Sequence, residues 1–276
     1  MNIYDIAKLA NVSIATVSRV VNNSPKVSPK TKEKVLAVMK ENEYTPNAFA
    51  RGLGLGSMKT VGIICPNIDD IYMAKAVSYL EQNLHAHGYD CILGCSGFKQ
   101  EEKEDYVRLL LSKKIDMLIL VGSTYAGNGK DESDTDYIRE AAEQVSIFMI
   151  NAKVSGDNIY CTYADDFQAT YEVTKAFIRR GKEKILFMYD SESYSARQKM
   201  AGYEAALQDA GYPIRGNLKF KTKNDIEYTR DMLLEYNRTL DFDSVLATED
   251  GIAIGAVKYA KIKGLAIPEE LAVVGY

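Results

Sequence analysis

At the start of the chain, apolar positions recur at helical spacing. In "IYDIAKLA" the side chains of Ile3, Ile6, Ala7 and Ala10 share one face, because residues three and four apart stack along the same side of a helix. "NVS" interrupts that face. A second helix is predicted behind Ser13, whose hydroxyl can accept from the unpaired N–H groups of a first turn, and it carries Val17, Val20 and Val21. "NNSPKVSP" breaks it, and Ser28-Pro29 opens a third helix in which Val35, Leu36, Val38 and Met39 are expected inward, with Lys and Glu outward. This pattern reads as a helix-turn-helix unit, whose second helix enters a DNA major groove.

From Thr60 onward the period changes. Short apolar runs ("TVGIICP", "YDCILGC", "IDMLILVG", "VSIFMIN", "KILFMYD", "LKFKTK", "SVLATED", "LAVVGY") alternate with amphipathic helical segments. Continuous apolar strands separated by helices predict parallel sheets covered on both faces. The run is too long for one sheet. It divides into two α/β lobes, the first from about Thr60 to Asp157 and the second from about Asn158, with a ligand cleft at the C-terminal ends of the strands.

Charge separates the two parts further. Residues 1–59 hold nine Lys/Arg against four Asp/Glu, net +5, whereas the remainder holds 25 against 34, net −9. A basic head on an acidic body points to a polyanion partner for the head alone. The chain has no apolar run long enough for a membrane span, and "MNIYDIAKLANVS" lacks the layout of a secretory signal, so a cytoplasmic protein is expected. Cys65, Cys91, Cys95 and Cys161 sit in strand-like segments without a CxxC pair, and are read as buried free thiols rather than a metal or redox site. Asp69-Asp70, Asp165-Asp166 and Glu249-Asp250 fall near strand ends, where carboxylates could do acid–base work. No Ser/His/Asp set accompanies them, since His85 and His87 close one helix, so a binding role is preferred to catalysis and no cofactor is expected.

In the helix-turn-helix reading, Ile14, Ala15 and Thr16 reach base edges, with Arg19 one turn on. Ile14 and Ala15 offer apolar contact, and Arg19 can fork onto a guanine. At this point "IYDIAKLANVSIATVSRVVNNSPKVSPKTKEKVLAVMKENEYTPNAFARGL" resembles, almost residue for residue, the DNA-binding head of the lactose/galactose repressor (LacI/GalR) family. The resemblance implies a head over 1–45, a hinge over 46–59, and an effector-binding and dimerisation domain of periplasmic-binding-protein type over 60–276, its second lobe incomplete because relatives run on past "VVGY". It implies a repressor that binds a pseudo-palindromic operator in double-stranded DNA as a homodimer, under control of a small sugar or sugar phosphate. Carried over by position, Tyr4, Ser13, Ser18, Asn22, Lys26, Ser28 and Thr31 match phosphate-contacting places, and Ile14, Ala15, Thr16 and Arg19 match base-reading ones. For the effector, the matching positions are Tyr72, Met73, Asn151, Lys199 and Glu249. The family often has Arg where Lys199 stands, and an ammonium is a point donor where a guanidinium forks.

The stretch "NAFARGLGLGSMKTVGIICP" is not a phosphate loop, because its glycines precede a strand instead of following one. The resemblance makes "PNAFARGL" a hinge helix that forms on DNA, with Leu53 wedged between base pairs and Asn47 and Ala50 beside it. Gly52, Gly54 and Gly56 lower helix propensity there, which suits a switch element and also suits a plain linker. A sugar-binding module with a vestigial head is the competing functional class.

Overall fold

The structure is a computed structural model and describes residues 1–45, 57–127, 132–236 and 239–276. Asn47, Ala50 and Leu53, and with them the hinge reading, lie outside the described residues.

The head consists of α1 (Ile3–Leu9), α2 (Ile14–Val21) and α3 (Pro29–Glu41). Each opens on a side-chain cap. Ser13 and Ser28 accept from the N–H groups of Thr16 and Thr31, as their positions predicted. α1 opens on a reciprocal pair that the sequence reading did not single out. The Asn2 side chain accepts from the Tyr4 and Asp5 N–H groups, and the Asp5 carboxylate accepts from the Asn2 N–H. The turn into α2 is made by Asn11 at φ 47°, a left-handed conformation that asparagine tolerates better than most side chains. Ile6, Ala7, Ala10, Val17, Val20, Val35 and Met39 form the head's core. Leu36 does not join it and is 44% exposed. Val35, Val38 and Met39 occupy one stripe at three- and four-residue spacing, and Leu36 projects about 100° around the helix from Val35, at 3.6 residues per turn.

The first lobe contains β1 (Thr60–Cys65), α4 (Ile71–Ala86), β2 (Asp90–Cys95), α5 (Gln100–Ser112), β3 (Met117–Val121), α6 (Asp136–Ala142), β4 (Ser146–Ile150) and β5 (Ile159–Thr162). Its five strands are parallel in the order β2-β1-β3-β4-β5. The expected boundary after Asp157 therefore falls one strand early. "IYCT" was not recognised as a strand because it is short and alternates in burial, as edge strands do. One sheet face packs on α5 and α6 through Val107, Leu110, Leu118, Leu120, Ile138 and Ile147. The other packs on α4 through Val61, Ile63, Val77, Ile119 and Val121. Coverage of that second face is incomplete among the described residues, contrary to expectation. Beyond α4 an open groove of 350 Å³ runs between Leu80, Ile119, Phe148, Ile150 and Tyr160.

The second lobe contains α7 (Asp166–Arg179), β6 (Ile185–Tyr189), α8 (Tyr194–Asp209), β7 (Lys219–Lys221), α9 (Ile226–Tyr236), β8 (Ser244–Ala247), α10 (Asp250–Lys263) and β9 (Ala272–Val274). Its sheet is parallel in the order β7-β6-β8-β9, with α7 and α8 on one face and α9 and α10 on the other. α7 and α8 pack with almost no side chain between them at Gly202, where an added Cβ would stand 2.2 Å from the Phe167 carbonyl oxygen.

Candidate functional site

In both lobes the chain reverses winding direction beside the lobe's first strand, so the loops after β1 and β3 and those after β6 and β8 diverge. Such divergence leaves a crevice at the strands' C-terminal ends, where helix N-termini also gather. The three acidic pairs lie there, and local chemistry accounts for two of them. Asp70 accepts from the Met73 N–H and caps α4; Asp165 accepts from the Gln168 N–H and caps α7. Glu249 holds the corresponding position before α10 without bonding to the helix's N–H groups. Its carboxyl is thus left for the crevice.

Lys199, on the second turn of α8, is 5% exposed. Its Nζ donates to the Thr248 carbonyl at 3.1 Å and lies 3.7 Å over the ring of Tyr276. Burial pushes the ammonium's pKa down, opposed by the carboxylates of Glu249, Asp166 and Asp190. Burial pushes Glu249 up, from 4.5 to about 7, against the pull of Lys199 and with the help of Asp190, Asp70 and Asp250. The phenol of Tyr276 donates to Asp166 Oδ1 at 2.5 Å. Tyr72, on the first turn of α4, is half exposed. Its hydroxyl pKa is raised by burial and by Asp70 and Asp166, so a first-lobe aromatic stands near one carboxylate of each lobe. One partly desolvated ammonium, several carboxyls and two phenols lie near enough to act on one another's charge. Such a set donates to and accepts from a polyhydroxylated ligand while rings cover its apolar face.

The other two expected effector residues are placed differently. Met73 packs into the first lobe's core, its Cε close to where a Cβ on Gly122 would stand. Met73 follows the helical period inward, whereas its neighbour Tyr72 does not. Asn151 follows β4 in a left-handed turn at φ 60°, with its N–H bonded to the Thr162 carbonyl at 2.7 Å. Sequence reasoning missed Asp190, Thr248 and Tyr276. The signal for Asp190 was present, since it follows β6 as Glu249 and Asp70 follow β8 and β1.

On the head, Ile14, Ala15 and Arg19 are exposed along one side of α2, with Thr16 and Ser18 half-buried. Tyr4, Lys26 and Ser28 are exposed, and Thr31 is half-buried. Ser13 and Thr16 share a hydroxyl–hydroxyl bond of 2.9 Å, and Ser28 and Thr31 one of 2.8 Å. Four of the residues matched to DNA contacts are therefore also cap residues. Asn22, at the end of α2, holds a buried side-chain oxygen with no hydrogen-bond partner among the described residues.

A three-helix head with an exposed second helix, joined to a two-lobed parallel α/β body with a polar crevice, defines the class of ligand-responsive DNA-binding proteins. The chain belongs to the LacI family of bacterial regulatory proteins: the lacI-family regulatory model matches residues 2–47, and the model for periplasmic binding proteins and the sugar-binding domain of the LacI family matches residues 58–276. An HTH-type transcriptional regulator of Lachnoclostridium phytofermentans is 47% identical over the whole of this chain and 83% of its own length. Catabolite control protein A of Priestia megaterium is 30% identical, over 100% of this chain and 82% of its own. Among solved structures, the lac repressor dimer bound to operator and an anti-inducer superposes with a TM-score of 0.86 at 24% identity, covering 100% of this chain and 82% of that one. The chain is accordingly a helix-turn-helix regulator of transcription, and the family is one of regulators rather than enzymes. Among the described residues no helix is long and apolar enough to cross a membrane, and no cluster of metal-ligating side chains occurs.

The free thiols also depart from expectation. Cys65 is buried and Cys91 and Cys161 are partly so, but Cys95 is exposed, because β2 is an edge strand and its last residue runs past the cover of α4.

Proposed function

We propose that the protein is a cytoplasmic repressor that binds a pseudo-palindromic operator as a homodimer and is controlled by a small carbohydrate in the crevice between its lobes. The observation that carries the effector half is the buried ammonium of Lys199 on α8 together with the half-buried carboxyl of Glu249 after β8, each influencing the other's charge and neither consumed by a helix cap. Tyr72 closes the site from the first lobe, and Asn151 lines its rim. In the head, Ile14, Ala15, Thr16 and Arg19 read bases. Tyr4, Ser13, Ser18, Asn22, Lys26, Ser28 and Thr31 hold phosphates, and Asn47, Ala50 and Leu53 belong to the hinge. Support for DNA binding comes from the exposed α2 face and the net +5 of residues 1–59. A carbohydrate effector accords with the family's sugar-binding domain and with a solved relative described as a CelR–cellobiose complex.

The test is selection of operator sequences from random DNA, followed by gel shift with and without a panel of sugars. Specific dimeric binding altered by one sugar supports the reading. Sugar binding without any sequence preference would leave a binding module with an idle head. Arg19→Ala should cost about 1–3 kcal/mol and relax preference at one base pair, while Lys26→Ala weakens all sites alike and reduces the salt slope by about one.

A further inference from the structure

Cys65 and Cys95 are register partners at the last rung of the β1–β2 pair. Partners in a parallel ladder project their side chains to the same side of the sheet, so the two thiols lie side by side across the ladder. Neighbouring strands lie about 4.7–4.9 Å apart, inside the Cα separation that a disulfide accepts. One member, Cys65, is fully buried, and the other, Cys95, is open to solvent. Among the described residues the strand that carries Cys95 pairs on one side only, so it can take up the small shift that bond formation asks. The two remaining cysteines are placed otherwise. Cys161 is bonded to the Val154 backbone on the opposite sheet face, and Cys91 opposes Val61 four residues back along β2.

We propose that Cys65 and Cys95 form a reversible redox-modification site, closed by peroxide into a disulfide across β1 and β2. Entry is through Cys95. Its sulfur attacks one oxygen of hydrogen peroxide, the O–O bond breaks, and the thiol becomes a sulfenic acid while the other oxygen leaves as water. The Cys65 sulfur then displaces hydroxide from the Cys95 sulfur; the hydroxide takes the Cys65 proton and leaves as a second water. Two thiols lose two electrons and the peroxide gains them. Burial and the neighbouring thiol push Cys65 up to about 12, which keeps it from reacting first and makes the second step the slow one. The pair responds to sustained rather than brief oxidant. It also lies next to the crevice wall. Ser96, directly after Cys95, bonds through its hydroxyl to Tyr125 at 2.8 Å, and the turn Ser123–Ala126 packs against α8, which carries Lys199.

The experiment treats the full chain with hydrogen peroxide under native conditions, removes the peroxide, unfolds the chain in urea so that buried thiols are reached, alkylates the remaining thiols with N-ethylmaleimide, and maps an unreduced digest by mass spectrometry. Expected is loss of two thiols, a linked peptide joining Cys65 to Cys95, and recovery of both thiols with dithiothreitol. Cys91→Ser and Cys161→Ser should still form the link. In Cys95→Ser the Cys65 thiol should stay alkylatable through the same exposure. Oxidation of Cys95 to sulfinic or sulfonic acid with Cys65 intact would overturn the proposal. So would four unreacted thiols, or linkage scattered among all the cysteines.

Discussion

The ammonium of Lys199 lies 3.7 Å from the centre of the Tyr276 ring, and that ring's hydroxyl donates to Asp166. Of the three N–H donors on Lys199, one meets a backbone carbonyl, and the rest of the charge faces the ring and nearby carboxylates. A buried charge with such loose partners contributes little to folding, because the cost of desolvation offsets its attractions. Lys199→Met should therefore unfold in urea within about 1 kcal/mol of the parent. Calorimetry should show carbohydrate affinity reduced at least about tenfold, or about 1.4 kcal/mol. Lys199→Ala, which also empties the space of the stem, should cost about 2 kcal/mol of stability. If the Met variant unfolds as readily as the Ala variant, the ammonium holds the fold and the assignment to ligand is wrong.

Glu249 sets a pH dependence. With its pKa raised from 4.5 to about 7, the folded protein retains a proton that the unfolded chain releases. Its contribution to stability is complete below 4.5 and is lost as pH rises through about 7. Lys199 is shifted down, so its own contribution is present above its ordinary value and is lost as pH falls through the folded one. The acid window therefore belongs to Glu249. Urea titrations should show the parent's stability advantage over Glu249→Gln shrinking from pH 4.5 to 7 and level above that range. A constant difference across the window would show that the carboxyl is not held protonated.

Ser13 has two proposed duties, and one substitution separates them. Aspartate caps helices as well as serine does but repels phosphate. Ser13→Asp should leave the head's melting unchanged while operator affinity falls, most steeply at low salt. Ser13→Ala should lose about 1 kcal/mol of head stability instead. Undiminished DNA binding by the Asp variant would limit Ser13 to its cap.

Gly202 tests the packing of the second lobe. A methyl group there meets the Phe167 carbonyl at 2.2 Å, and backbone cannot rotate aside as a flexible side chain would. Gly202→Ala should force α7 and α8 apart at a cost of about 1–3 kcal/mol, read as a lower urea midpoint. A neutral result would mean that the helices separate without loss.

What the sequence made legible was chemistry that closes within a few residues. The caps at Ser13 and Ser28 and the stripe from Ile6 through Val17 and Val20 depend on local hydrogen bonds and helical period. The alternation of strand and helix that fixes a parallel sheet is also written locally. Leu36, Cys95 and β5 were misread because each depends on what an element packs against. A leucine one position off the stripe, a thiol at the end of an edge strand, and a short strand with one exposed face all look buried to a reader who assumes full coverage. In the crevice, Lys199 and Glu249 were reached by resemblance. Of their partners, Asp190 and Thr248 carry a local signal, each directly following a strand, whereas the approach of Tyr276 to Lys199 and Asp166 is made only by the fold.

The passage from β5 to α7 sets how the body can move. At one end the Thr162 carbonyl is tied to the Asn151 N–H, and at the other Asp165 is tied to the first turn of α7. Only Tyr163 and Ala164 lie between those ties, and the Lys153 ammonium sits 5.3 Å over the ring of Tyr163. Two residues span about 7 Å at full stretch and supply about four soft dihedrals. A strap this short restricts translation more than rotation, so a rotation of one lobe about it that narrows the crevice on one side widens the gap on the other.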